Sequence, residues 1–529
     1  MKTRLWFIII LFTGVVNAES PRADWEGDRP DGCTSVTVGR LASDGNWVST
    51  SHTCDSHRTR SSFDIVPAKK HPLGSAMNLV RRTNDDSLAM PAYKYVPTGD
   101  IPQVAQTYGY INTAYPCMNE RQLAVGESTF GGRASLKSDR GLIDCQQLVQ
   151  LMLERCSTAR EAIQLTDDLL AQYGWIDEGE CLTIADPHEV WHLEIVGPGA
   201  GKVGAIWAAQ RVPDDQVSVN ANAARIRQVD LSNPEYFMAS ENLTRAAQDS
   251  GWWQPEMGPF EFCYAYDPDG RRSLAARRRE WRVLSLLAPS LHLDPNQENY
   301  PFSVKPDEPV TLKKLFTVFR DYYEGTAFNF VKDITVTDDG GKTVLSPLAN
   351  PFMPYDMNKV FRINGGWGWR GERTIARWYT MYATVTQSRA DLPDPIGGVV
   401  WMALDNVASS VYVPIYCGVN DVAAPYKVDG RVRGFSHDSA WWAFNRLGTL
   451  AAQRWGEMRH DVMAVWDEWE DQLLTRQPQF EAEALRLHEK NPKKAQAFLT
   501  SYGIAWGNKV ISKAWELGDF LWTKYDELF

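Results

Sequence analysis

The sequence predicts one large α+β unit with a helical C-terminal region. Three observations predict it. From Cys33 to about Ile226, short alternating apolar runs are separated by Gly, Asn and Asp turn signals, the pattern of strands and hairpins. From "SHDSAWWAFNRLGTLAAQRWGEMRHDVMAVW" to Phe529 the apolar residues recur at helical spacing. No internal repeat and no long flexible linker separates the parts, so a single layered unit is expected.

The elements follow in chain order. "MKTRLWFIIILFTGVVNAES" has Lys2 and Arg4 ahead of the apolar run Leu5 to Val16, which is too short to span a bilayer. The small residues up to Ala18 complete a secretory signal over 1–18. Residues 19–32, "ESPRADWEGDRPDG", are polar and rich in Pro, Gly and Asp, and read as a leader. "TSVTV", the Asp44-Gly45 turn and "WVSTSH" predict a hairpin. "QTYGYINTAY" and "QLAVGEST" flank the turn-like "MNER". A helical block follows, "GLIDCQQLVQLMLERCSTAREAIQLTDDLLAQYG", with Gly174 placed to end it. "VWHLEIV" and "VGAIWAAQRV" pair around "GPGAGK". The middle mixes helices such as "LKKLFTVFRDYYEG" with strands such as "GGVVWMALD" and "SSVYVPIYCG". Residues 33–445 are read as the catalytic unit and 446–529 as a helical extension packed on it.

Composition narrows the function. The net charge of -11, with no long basic run, argues against nucleic acid, whose phosphates need clustered Lys and Arg. After the signal no segment is apolar enough for a membrane span. The chain is therefore expected in an exported compartment: periplasm, outside the cell, or the lumen of the secretory or lysosomal system. A homo-oligomer is compatible with the sequence, which does not specify one. The 21 tryptophans fit a large core better than an aromatic cleft. Eight scattered cysteines show neither a small stapled scaffold nor a paired C-x-x-C zinc arrangement.

One hairpin carries candidate chemistry. With Asp44-Gly45 as a two-residue loop, Ser43 faces Asn46, Thr34 faces Asp55 and Cys33 faces Ser56; a bulge would shift this by one. "HTCDSH" then lies beside Cys33, giving a thiol with Asp55 and His52 or His57 in reach. A surface hairpin with incidental polar residues fits the pattern equally well. Gly32 adds an option. Cleavage after it would give Cys33 a free α-amine, whose ordinary pKa of about 7.7–8.0 suits it to take the thiol proton.

Competing motifs are weaker. "HEVWH" (His188 to His192) matches the zinc-peptidase signature, which needs a helix to place both His on one face. Trp191, Leu193 and Ile195 alternate instead, and a strand would set the two His about 13 Å apart. A zinc peptidase is thus a minor alternative. "DDGGKTV" lacks P-loop spacing, and there is no G-x-S-x-G elbow.

The chain resembles the N-terminal-nucleophile (Ntn) cysteine dipeptidases, the dipeptidase A and secernin group, and more distantly the penicillin and bile-salt acylases. The motifs that carry the resemblance run in order: "CTSVTVGRLASDG", "CDSH", "GYINTAYPCMNERQLAVGESTFGGR", "VSVNANAARI", "DYYEGTAFN", "GERTIARWYT", "LPDPIGGVVWMALD" and "SHDSAWWAFN". They span nearly everything from Cys33 to about Asn445. The resemblance implies an αββα four-layer sandwich, hydrolysis of small peptides such as dipeptides, and no cofactor or metal. It implies self-cleavage between Gly32 and Cys33, with Cys33 as nucleophile and its α-amine as base. Asp55 would orient the amine, Asn119 would donate to the oxyanion, and Asn222 and Arg225 would complete the site, lined by His52 and Glu127. Related acylases carry Arg where this chain has His52, which bears on substrate preference and pH optimum. An Ntn amidase acting on N-acyl compounds is the nearest alternative, and a non-catalytic binding protein a more distant one.

Overall fold

The protein's structure, a computed structural model, describes residues 32–56, 59–85, 92–351 and 372–528. The expected signal 1–18, the leader up to Asp31, and His57 lie outside the described residues.

Two antiparallel sheets organise the molecule. The first runs, in spatial order, Ser303–Val304, Val217–Asn220, Ser35–Val38, Ser49–Asp55, Thr380–Gln387, Val399–Leu404 and Val413–Tyr416. The second runs Phe237–Ala239, Ile206–Val212, Val190–Val196, Gly179–Ala185, Ala124–Phe130, Met118–Asn119, Tyr110–Asn112 and Asp64–Val66. They meet face to face through side-chain contacts: Thr50 Oγ1 to Thr183 Oγ1 at 2.6 Å, and Thr37 Oγ1 to His192 Nε2 at 2.9 Å. Gly126 permits this approach, because a Cβ there would lie 2.7 Å from Thr183 Oγ1 and 2.9 Å from Thr50 Oγ1. The alternation in "TSVTV" thus has an unusual meaning. Ser35 and Thr37 face the other sheet, whereas Val36 and Val38 join the core formed with Leu284, Leu287 and Phe316. Both faces of the strand are dry, and the polar residues must bond across the sheet interface.

Helices cover the outer faces. Cys145–Arg155 and Ala159–Tyr173 lie on the second sheet. The expected single block is two helices, because "CST" interrupts it: Thr158 Oγ1 accepts the Glu161 N–H at 3.2 Å and Glu161 accepts the Thr158 N–H, a capping box that starts a new helix. Gly174, at φ 72°, ends the second. Leu274–Leu287 and Leu312–Phe319 lie on the first sheet. The chain closes with Ala440–Gln453, Trp455–Lys490 and Pro492–Lys524. The expected junction at 445–446 falls inside the first of these. Buried ion pairs fasten the long helix to the body: Arg389 to both carboxylate oxygens of Glu481 at 2.8 Å, and Arg320 Nη1 to Glu470 at 2.9 Å. Trp175, Trp191, Trp401, Trp455 and Trp466 are fully buried, so tryptophan fills the core as expected.

The first hairpin departs from expectation. Val38 pairs with Ser49, Ser35 with His52 and Gly32 with Asp55, so the register is two residues off and Cys33 faces Cys54, not Ser56. The connection is not a two-residue turn. Leu41 and Ala42 donate to Asp214 O at 2.7 and 3.0 Å, Gly39 donates to Gln216 O, and Trp47 is drawn into the core. Neighbouring chain, not Asp44-Gly45, sets the register. A long ribbon, Ala76–Asp85 with Ala92–Pro102, was not anticipated. Its apolar alternation is short, Met77 with Leu79 and Tyr93 with Tyr95, and Leu79 and Ile101 anchor it in the core beneath the second sheet's helices.

Candidate active site

Cys33 is 3 % exposed and lies where the two sheets meet. Its Sγ donates to Glu127 Oε1 at 2.5 Å, and the same oxygen contacts His52 Nε2 at 3.0 Å. His52 comes from the strand beside Cys33, and Glu127 from the facing sheet. Tyr115 and Tyr382 set their ring edges against the His52 imidazole. Burial, then the Glu127 charge, push the Cys33 thiol well up, so the resting residue holds its proton. Burial opposes the charge on Glu127, but His52 and the thiol outweigh it and hold this carboxyl below its usual range. Its neighbour Glu180 goes the other way: burial, then the Glu127 charge, raise it well above the carboxylate range. The pair therefore carries one negative charge, on Glu127.

A second cluster grips the backbone of Cys33. Its N–H donates to Asn222 Oδ1 at 3.1 Å. That oxygen also accepts Arg279 Nη2 at 2.8 Å and Arg373 Nη1 at 3.1 Å. Asn222 stands at φ 62°, a left-handed position that Asn tolerates better than most residues. Arg279 Nη1 donates to Cys33 O at 2.7 Å. Burial, then the Arg373 charge, lower Arg279 to about 9, which still leaves it charged at neutral pH. Asp55 accepts Arg373 Nη2 at 2.5 Å and Thr380 Oγ1 at 2.6 Å. It therefore reaches the Cys33 nitrogen through Arg373 and Asn222, whereas the hairpin reading placed it directly alongside.

Gly32 pairs with Asp55 by two main-chain bonds, Gly32 N to Asp55 O at 3.1 Å and Asp55 N to Gly32 O at 2.9 Å. A Cβ on Gly32 would collide with Arg373 Nη1 and lie 2.8 Å from Asn222 Oδ1. A side chain at this position would push the guanidinium and the Asn222 amide out of place.

The structure brings together Gly32, Cys33, His52, Asp55, Glu127 and Asn222. It does not bring Asn119 into this group. Both Asn119 amide hydrogens are donated at 2.8 Å, to Leu153 O and Cys156 O, and its Oδ1 accepts Arg121 and Leu123 N–H. None is left for an oxyanion, so the expected donor role is corrected to bracing the turn against the end of the Cys145–Arg155 helix. Arg225 is corrected likewise. It pairs with Glu280 at 3.4 Å and donates to Phe302 O at 3.1 Å and Pro301 O at 2.5 Å, a structural bracket. Arg279, Arg373 and Glu180 were missed. "LAARRREW" held a signal: three successive arginines on a helix spread over about 200° of its circumference, so one of them can turn toward the core and find acceptors there.

"HEVWH" is not a metal helix. His192 lies in the Val190–Val196 strand, buried against Thr37, and burial, then the Arg225 charge, depress it to about 3. His188 is exposed in the preceding turn. Among the described residues, the group able to hold an ion is Cys33, His52 and Glu127, whose ligand atoms lie within 4.8 Å of one another. No disulfide forms among the eight cysteines, all of them buried. No helix of the described residues is long and apolar enough to cross a membrane.

The sequence model described as Peptidase family C69 matches residues 32–468. A "Probable dipeptidase" of Salmonella dublin is 26 % identical over 403 residues, 73 % of this chain and 81 % of the relative. A "Probable dipeptidase" of Latilactobacillus sakei is 23 % identical over 461 residues, 83 % of this chain and 85 % of the relative. A solved penicillin V acylase from Agrobacterium tumefaciens aligns over 73 % of this chain and 87 % of its own, at 9 % identity and a TM-score of 0.26, too weak a likeness to carry an argument.

Proposed function

The chain belongs to peptidase family C69 and is a cysteine-type peptidase, and on that premise we propose that it hydrolyses dipeptides through Cys33, made N-terminal by cleavage after Gly32. The observation that supports this best is the division of contacts at Cys33. Its thiol faces an acid–imidazole pair, and its nitrogen faces the side-chain oxygen Oδ1 of Asn222.

In the cleaved chain the α-amine replaces the peptide N–H and keeps Asn222 Oδ1 as its acceptor. The Arg373–Asp55 pair holds Asn222 and so orients the amine. The amine takes the Sγ proton as Sγ attacks the substrate carbonyl, and passes it to the leaving nitrogen. A thioester results, and water, deprotonated by the same amine, hydrolyses it. Asn222 donates one amide hydrogen to Thr129 O at 2.5 Å; the other is the donor we assign to the oxyanion. His52, where related acylases carry Arg, gives the substrate an imidazole in place of a permanently charged, forked guanidinium.

The facing sheets with helices outside are read as the αββα sandwich of Ntn hydrolases, with the helices from Ala440 onward packed on it. The sequence of residues 1–18 supports export. A substrate panel tests the activity: dipeptides are cleaved, and N-acyl amino acids and bile amides are not. Preference for the N-acyl compounds would make the protein an amidase. Loss of activity to a chelator, with resistance to thiol reagents, would contradict the role of Cys33.

A further inference from the structure

We propose that Glu127 is the base that starts self-cleavage at Gly32–Cys33, so that maturation and peptide hydrolysis run on two different bases. The inference rests on the reading of Cys33 as a nucleophile that cuts its own leader.

The need for a second base follows from bonding. While the Gly32–Cys33 bond is intact, the Cys33 nitrogen is an amide that donates to Asn222 Oδ1 and has no basic lone pair. The base of the mature enzyme does not yet exist. Glu127 Oε1 is 2.5 Å from Sγ, and both residues are buried away from water. Asp55 is occupied by Arg373 and Thr380. Glu180, which accepts Ser128 N–H at 3.1 Å and Thr129 Oγ1 at 3.0 Å, keeps its own proton and leaves the charge on Glu127. His52 Nε2 at 3.0 Å steadies that charge. The scissile carbonyl is also prepared: Gly32 O already accepts the Asp55 N–H at 2.9 Å, a donor placed for the oxyanion.

The step balances without a co-reactant other than water. Glu127 takes the Sγ proton, and Sγ bonds to the Gly32 carbonyl carbon. The C–N bond breaks, its electron pair stays on the Cys33 nitrogen, and Glu127 returns the proton there. A thioester and a free amine result. Water then cleaves the thioester, releasing Gly32 as a carboxylate and restoring the thiol. The new amine sits on the same residue as the thiol and takes over as base.

The test follows intact mass against time for the full chain and its variants. Wild type should mature at a rate that is flat through neutral pH and falls tenfold per unit once Glu127 is protonated. Glu127→Gln should mature about 100-fold more slowly or worse, and its residual rate should rise with pH as solvent ionises the thiol. A merely structural role would not produce that change of profile. Cys33→Ala should stay uncut. A wild-type rate that climbs tenfold per unit from pH 7 to 9 would overturn the inference whether or not the Gln variant folds. Wild-type processing in Glu127→Gln, with Cys33→Ala uncut, would overturn Glu127 alone. Cleavage of Cys33→Ala would overturn the underlying reading.

Discussion

At the scale of single residues, Asn222 is where the contacts converge. Its Oδ1 collects the Cys33 N–H and two guanidinium groups. Asn222→Ala strands all three donors and removes the assigned oxyanion donor. It should lower kcat/KM on dipeptides by about 100-fold or more and stability by about 1–3 kcal/mol. Dipeptide hydrolysis and urea unfolding check the two effects, and an unchanged kcat/KM would remove Asn222 from the mechanism. Cys33→Ser should cost at least about a thousandfold in hydrolysis, measured on the same substrates. Much of this site was legible in the sequence. Cys33 and Gly32 stood out at the head of a strand, and Asn222 and Glu127 lay in motifs of the resembled family. Arg279 and Arg373 were not identified, because a buried arginine and a surface one look alike until the acceptors around it are known. Asn119 was misplaced for the converse reason: a motif shows that a residue is needed, not whether its amide faces a substrate or a helix end.

At the scale of elements, the strands were found more securely than their register. "TSVTV" and "WVSTSH" are strands, but the loop between them is pinned by Asp214 and Gln216, distant in sequence, so Asp44-Gly45 could not fix the pairing. The ribbon Ala76–Asp85 with Ala92–Pro102 left only short alternations, Met77 with Leu79 and Tyr93 with Tyr95, to read. The sheet interface makes its own prediction. Gly126→Ala inserts a methyl group against Thr183 and Thr50, and should destabilise the fold by about 1–3 kcal/mol. The C-terminal helices make another. Glu470→Ala leaves Arg320 buried without its carboxylate, which should cost about 3–5 kcal/mol. Chemical denaturation measures both, and a neutral Glu470→Ala would show that the Arg320 pair is not needed to dock the long helix.

At the scale of the whole molecule, the buried polar seam between the sheets ties stability to pH. His192, depressed to about 3 by burial and Arg225, stays neutral in the fold, whereas an unfolded histidine protonates near 6.5. Between those values the unfolded chain binds the extra proton. This residue therefore removes stability as pH falls, by about 1.4 kcal/mol per unit. The stability difference between wild type and His192→Gln should shift by that slope between pH 6 and 4, read by urea titration at each pH. A difference independent of pH would mean that His192 is charged or solvated in the fold. The same dry seam holds the thiol proposed as nucleophile. In the proposed maturation, the bond after Gly32 breaks before Cys33 acts on peptides. The most direct measurement is the intact mass of purified protein alongside its dipeptidase rate. Active protein should begin at Cys33, with activity rising in step with that species. Full activity in a chain that still carries Gly32 would contradict it.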